Sequence, residues 1–140
     1  MTGVASSTLI AKASDLTIGE DVSFKNNTAD LGGAISLRLG SSLVATQGAT
    51  LFEYNNAMTH GGALHLNQAG SVTLNNCIIR GNEASHSGAA IYATKGEYLT
   101  EIYITSTTFE RNFAGEQALF LIEAVARMEL QNCIFLSNKA

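Results

Sequence analysis

The stretch Phe24-Lys25-Asn26-Asn27-Thr28-Ala29-Asp30-Leu31-Gly32-Gly33-Ala34-Ile35-Ser36-Leu37 carries a large apolar residue, an Asn three positions on, an Ala two beyond that, and then a Gly-Gly-Ala-Ile run. The same order returns as Phe52-Glu53-Tyr54-Asn55-Asn56-Ala57 with Gly61-Gly62-Ala63-Leu64-His65-Leu66. A third copy is Ile79-Arg80-Gly81-Asn82-Glu83-Ala84 with Gly88-Ala89-Ala90-Ile91-Tyr92-Ala93. The fourth, Phe109-Glu110-Arg111-Asn112-Phe113-Ala114, keeps a degraded second half in Gln117-Ala118-Leu119-Phe120-Leu121, and a fifth opens at Phe135-Leu136-Ser137-Asn138-Lys139-Ala140. The chain is a repeat protein.

The repeated asparagines are separated by 28, 27, 30 and 26 residues. Such a period holds about three short strands and three turns and is too short for a propeller blade. Apolar residues alternate by two, as in Ile102-Tyr103-Ile104 and Val72-Thr73-Leu74, with no period near 3.6. The pattern predicts an all-β parallel β-solenoid of about five coils of 26–30 residues, one repeat domain over residues 1–140. Each strand pairs with its copy one coil away, at roughly 4.7–4.9 Å. Leu16 and Ile18, then Val22 and Phe24, open the first clear coil; Val44 and Thr46, then Thr50 and Phe52, are expected to repeat them. Met1–Ala13 reads as the tail of a coil whose beginning is missing, and Ala93–Leu99 and Leu37–Ser42 read as bulging loops.

Each repeat position has a physical role. Phe24, Phe52, Ile79, Phe109 and Phe135 should stack inside the coil. Asn27, Asn55, Asn82, Asn112 and Asn138 sit at a bend, where Asn tolerates left-handed backbone and can pair amides with the next coil. Ala29, Ala57, Ala84 and Ala114 fill a tight corner. Ile35 and Leu37, Leu64 and Leu66, Ile91 and Ala93, and Leu119 and Leu121 are expected to point in. That leaves Ser36, His65, Tyr92 and Phe120 outside. The position after each stacked residue runs Lys25, Glu53, Arg80, Glu110, Leu136, an exposed ladder of opposite charges worth roughly 0.2–1 kcal/mol per pair. Outward Leu51, Ile78 and Ile134 form a broken apolar stripe beside it, and Tyr92 and Phe120 a second, together a candidate contact surface.

Composition narrows the function classes. A net charge of −4 gives no reason to expect nucleic acid as a partner, and no apolar run reaches the ~20 residues of a membrane span. Met1–Ile10 lacks a charged n-region and a long apolar h-region, so no signal peptide is expected. Cys77 and Cys133 share one repeat position two coils apart, roughly 9–10 Å by strand spacing, so two free, buried thiols are expected. His60 and His86 precede glycines and should stack in successive loops, without the further ligands a metal needs; His65 reads as an ordinary outward side chain. Asn26-Asn27-Thr28 is a glycosylation sequon. The three Asp residues (Asp15, Asp21, Asp30) are dispersed and the glutamates scattered, so the acid pair of a polysaccharide-cleaving solenoid is not in view. No catalytic, cofactor or metal residues are assigned.

The pairing of Phe-X-X-Asn (Phe24–Asn27, Phe52–Asn55, Phe109–Asn112, Phe135–Asn138) with Gly-Gly-Ala (Gly32–Ala34, Gly61–Ala63) resembles the repeats of the chlamydial polymorphic outer-membrane proteins. It is weakened at Gly88-Ala89-Ala90 and lost at Glu116-Gln117-Ala118. The resemblance implies a right-handed, pectin-lyase-like parallel β-helix, a hand that crossover preference also favours. It further implies a secreted or cell-surface, autotransporter-passenger-like adhesin. The expected function is structural and adhesive, presenting a surface to a protein or cell-surface receptor, with neighbouring coils or subunits covering the open ends. The alternatives are a carbohydrate-active or glycan-binding β-helix module, and a small structural subunit of a larger complex.

Overall fold

The computed structural model describes residues 3–5, 9–97 and 100–140. The leader reading of Met1–Ile10 and the loop reading of Ala93–Leu99 therefore lie partly outside the described residues. All regular structure among those residues is β-strand, and every strand pair is parallel.

A partial coil, β1 (Gly3–Ala5) and β2 (Leu9–Lys12), leads into four complete ones. These are β3 (Asp15–Ile18), β4 (Val22–Lys25), β5 (Thr28–Leu31) and β6 (Ile35–Arg38); then β7 (Ser42–Ala45), β8 (Thr50–Glu53), β9 (Asn56–His60) and β10 (Leu64–Asn67). The third holds β11 (Ser71–Asn75), β12 (Cys77–Arg80), β13 (Glu83–Ala84) and β14 (Ile91–Thr94). The fourth holds β15 (Thr100–Thr105), β16 (Thr108–Glu110), β17 (Phe113–Ala114) and β18 (Phe120–Ile122). A closing partial coil has β19 (Val125–Gln131) and β20 (Ile134–Leu136). Like strands stack into four sheets of five, six, four and five strands, here sheets I to IV in chain order around the coil. The solenoid is thus four-sided with four full coils, where three strands per coil and about five coils were expected. The extra side is sheet III, as short as Glu83–Ala84, tucked between the Asn corner and the glycines.

Single residues with left-handed backbone turn the corners. Between sheets II and III these are Asn26 (φ 55°), Tyr54 (55°), Gly81 (63°), Arg111 (51°) and Ser137 (53°). The ladder asparagines follow one residue later, so the bend is not made by them, contrary to the sequence reading. Side chains that point in close the core: Phe24, Phe52, Ile79 and Phe109 in one column, Ala57, Ala84 and Ala114 in another, all buried.

Two registers depart from expectation, and a one-residue slip reverses which side chains face in. In the second coil Leu43 and Ala45 align with Leu16 and Ile18 and are buried, while Val44 pairs with Thr17 and faces out. The turn before β8 is one residue longer than the turn before β4, so counting back from Phe52 misplaces the strand. In the fourth coil Phe120 and Ile122 align with Ile91 and Ala93, so Leu121, not Phe120, takes the outward place beside Tyr92. The path from Asn112 to Phe120 is one residue shorter than that from Asn82 to Ile91. Phe120 turns its ring edge to Phe109 at 5.0 Å and belongs to the interior.

Candidate functional site

The Phe-X-X-Asn motif builds a continuous internal ladder. From Asn55 onward each amide oxygen accepts from both the backbone N–H and the side-chain N–H of the Asn one coil earlier, as at Asn82 Oδ1 from Asn55 N (3.0 Å) and Asn55 Nδ2 (2.9 Å), whereas Asn27 Oδ1 at the first rung is buried without a partner among the described residues. From Asn55 onward each Nδ2 also reaches back to the carbonyl of an apolar stack residue, Asn82 to Phe52 O at 2.8 Å and Asn112 to Ile79 O at 2.8 Å. Asn27, Asn55, Asn82 and Asn112 are buried and Asn138 half-buried. Beside them Phe24 stacks on Phe52 at 5.3 Å and Phe109 on Phe135 at 5.0 Å, both within 5° of parallel. From Asn55 onward the ladder amides are engaged inside the coil, so these residues build the rod and face no ligand outside it.

The charge ladder on the outside of sheet II is shorter and drier than expected. Glu53 is only 2% exposed, clamped between Lys25 (2.7 Å) and Arg80. Burial alone would raise its carboxyl, but hydrogen bonds from Lys25 and Arg80, with their charges, hold it below the ordinary range. The ladder ends there, because Glu110 turns to Arg111 at 3.3 Å. Next to it the outward column of sheet II reads Ser23, Leu51, Ile78, Thr108, Ile134 in consecutive register. Leu51 and Ile78 are half-buried and Ile134 is 52% exposed. Leu51 and Ile78 are register neighbours, and Thr108 separates them from Ile134.

Tyr92 does not join them. It lies outside sheet IV, in register with Ser36 and His65, yet Ser36 and His65 are 1% exposed and Tyr92 9%. The corner carrying His60 and His86 folds over this column. His60 stacks on Tyr92 at 4.5 Å, His65 on Tyr92 at 5.5 Å, and His86 lies 5.4 Å from His60, which gathers all three histidines of the chain. The close fit comes from the glycines: a Cβ on Gly62 would stand 2.3 Å from the Ala89 carbonyl oxygen. His65 Nδ1 meets Ser36 Oγ at 3.2 Å, and burial, reinforced by Arg38 and His60, pushes its pKa down to about 4. Tyr92 donates to Glu123 at 3.0 Å, and His86 lies 3.7 Å from Glu116. Thus His65 points outward from its sheet as the alternation placed it, but it is buried under the corner and not an ordinary exposed side chain. Glycines just before the strand were the available signal, since they let a corner close on the outer face.

Cys77 is buried and free, with its thiol pushed up to about 11 by burial; Cys133 is free but half-buried, in the closing partial coil. Cys77 N–H donates to Thr107 Oγ1, which holds the same place in the intervening coil. Among the described residues, no three His, Cys, Asp or Glu side chains gather to hold a metal, and no helix is long and apolar enough to cross a membrane. One feature had no counterpart in the sequence reading. Arg111, Phe113, Ser137 and Lys139, the outward residues flanking the last two ladder asparagines, line an open cleft of about 360 Å³.

A four-sided parallel β-solenoid with an internal Asn ladder is the class these features define. Two of its coils, at residues 21–38 and 76–94, match the Chlamydia polymorphic membrane protein repeat. The chain is also 33% identical over 106 residues to the metabotropic glutamate receptor-like protein R of Dictyostelium discoideum. That alignment spans 76% of this chain and 6% of the relative. No solved structure matches. The chain is therefore a β-solenoid repeat protein carrying the polymorphic membrane protein repeat.

Proposed function

We propose that the chain is a non-catalytic, structural β-solenoid of the cell surface or exterior, a passenger-like segment of a larger protein whose outer face binds a protein or cell-surface receptor. The observation that carries this is the outward column Leu51, Ile78, Thr108, Ile134, held in register on a rigid sheet and left partly open to solvent. Apolar side chains in such a row favour a contact surface. The repeat match supports surface display, being named for a membrane protein, and the relative is described as receptor-like. The carboxylates support a structural reading, since Glu53 clamps two cations and Glu123 holds Tyr92 and the Lys95 N–H. Within the larger protein, a further coil or a partner subunit pairs with β18 to β20, where Phe135 and Leu136 are half-exposed.

The test is adhesion of chain-coated beads to cultured cells, comparing the chain with a Leu51→Asn/Ile78→Asn variant. Both positions are outward, so the variant keeps its strand signature in circular dichroism. Loss of adhesion with the fold retained is the expected result. Equal adhesion of the variant, or robust depolymerisation of a polysaccharide by the chain, contradicts the proposal.

A further inference from the structure

The corner between sheets II and III carries, on either side of each ladder Asn, one outward residue. Around Asn55 these are Tyr54 and Asn56, around Asn82 they are Gly81 and Glu83, around Asn112 they are Arg111 and Phe113, and around Asn138 they are Ser137 and Lys139. In the second and third coils the corner is filled: the Tyr54 ring lies across Gly81, where a Cβ would come within 2.5 Å of it. In the fourth coil and the closing partial coil it is open. Arg111 N–H bonds the Leu136 carbonyl and Phe113 bridges Lys139, so two outward residues from each coil face one another across a single strand spacing. The cleft between them measures about 360 Å³, at the small end of the ~300–1,000 Å³ of ligand sites.

Its walls differ in chemistry. Phe113 is 47% exposed and offers a ring face. Arg111 is largely exposed, with only the neighbouring Glu110 at 3.3 Å, and Lys139 makes no ion pair among the described residues. Ser137 contributes an exposed hydroxyl. Glu83, in register with Phe113 on the coil beyond it, lies outside the cleft.

We propose that this cleft binds a carboxylated sugar, its apolar ring face on Phe113, its carboxylate between Arg111 and Lys139, and its hydroxyls on Ser137. The cations select the acid, a guanidinium suiting a carboxylate bidentately. The ring selects a flat apolar face, which an acidic peptide side chain lacks, and this sets a sugar acid above an acidic peptide. This site lies on a different corner from Leu51 and Ile78 and does not depend on the adhesive reading.

The test is an amide NMR titration of the whole chain with D-glucuronate, with D-glucose, acetate and hexaglutamate as comparisons. Glucuronate is expected to give saturable shifts confined to residues 111–113 and 137–139, with affinity falling as salt rises. Glucose and acetate should each bind about tenfold or more weakly, having lost one of the two recognition elements. Phe113→Ala should abolish saturation. Lys139→Gln, at an exposed position that leaves the strands intact, should weaken it severalfold and decides the matter if the Phe113 variant does not fold. Absence of saturable shifts, shifts elsewhere, acetate or hexaglutamate binding as well as glucuronate, or Lys139→Gln binding like the parent each overturn the proposal. Because bead adhesion reads Leu51 and Ile78, failure here leaves the adhesive proposal standing, and failure there leaves this one.

Discussion

Replacing Asn82 by Ala tests the ladder at its centre. Asn82 is fully buried, and its side chain makes four hydrogen bonds: from Asn55 N (3.0 Å) and Asn55 Nδ2 (2.9 Å), and to Phe52 O (2.8 Å) and Asn112 Oδ1 (3.0 Å). Asn112 Oδ1 keeps the backbone N–H of residue 82, and Asn55 Nδ2 keeps Phe24 O, so neither is stripped. The Asn55 backbone N–H, one Asn55 amide hydrogen and the Phe52 carbonyl lose a partner where water does not reach. At about 1–3 kcal/mol for each buried polar group left unpaired, and less than additively, the loss comes to about 4–6 kcal/mol. That is a large share of the ~5–15 kcal/mol by which a domain is stable. Asn138→Ala removes the equivalent bonds at a half-buried position where water substitutes, and should cost only about 1–2 kcal/mol. Urea unfolding of the two variants, compared at matched m-values, measures the difference. If both lose the same, or Asn82→Ala loses less than about 1.5 kcal/mol, the ladder is not the internal spine proposed here.

Further expectations concern pH and close packing. Burial holds the His65 pKa down at about 4, against about 6.5 for an exposed imidazole. A base with a depressed folded pKa leaves stability intact above its unfolded value, so acidification from pH 6.5 to 4 should remove up to about 3 kcal/mol, and His65→Phe should flatten that slope. Glu53, held below its ordinary range, acts in the next window: its contribution is present above pH 4.5 and lost as pH falls further, and Glu53→Gln should remove that acid-sensitive part together with about 1–3 kcal/mol at neutral pH. Denaturant titrations at a series of pH values separate the two. Gly62→Ala drives a Cβ into the Ala89 and Glu83 carbonyls and should cost more than about 3 kcal/mol, whereas Gly40→Ala, with open space around it, should cost only about 1–2 kcal/mol for its positive φ. Equal thermal midpoints for those two would show that the corner is loose.

What was legible in the sequence was whatever recurs at a constant offset. The Phe, Asn and Ala columns sit at fixed distances from one another in every coil, so their stacking could be read directly. Register failed where turns change length. Val44 was aligned with Leu16 because the turn before Phe52 was taken as unchanged, and Phe120 was placed outside because the segment after Asn112 is one residue short. Sheet III escaped notice because two residues, Glu83 and Ala84, are too few to show alternation. Burial of Ser36, His65 and Tyr92 was hidden for another reason: alternation identifies the outer face of a strand, but not whether a glycine corner lies over it. The cleft at Arg111 and Lys139 depended on the same outward positions, which become neighbours only once the coils are stacked.

The coil-on-coil register is tested most directly by an engineered disulfide. Thr73 and Tyr103 are outward register partners on adjacent coils, whereas Thr73 and Thr105 are offset by two residues along the strand. In a background with Cys77 and Cys133 changed to Thr, the residue that Thr50 and Thr107 already supply in that column, each pair is replaced by Cys and oxidised mildly. Adjacent strands about 4.7–4.9 Å apart bring the first pair within the ~4.4–6.8 Å a disulfide spans, and the diagonal leaves the second outside it. Intact-mass analysis should show the two-hydrogen loss for Thr73→Cys/Tyr103→Cys with native stability retained, and free thiols for Thr73→Cys/Thr105→Cys. The reverse outcome, or equal oxidation of both, would contradict the parallel stacked coil.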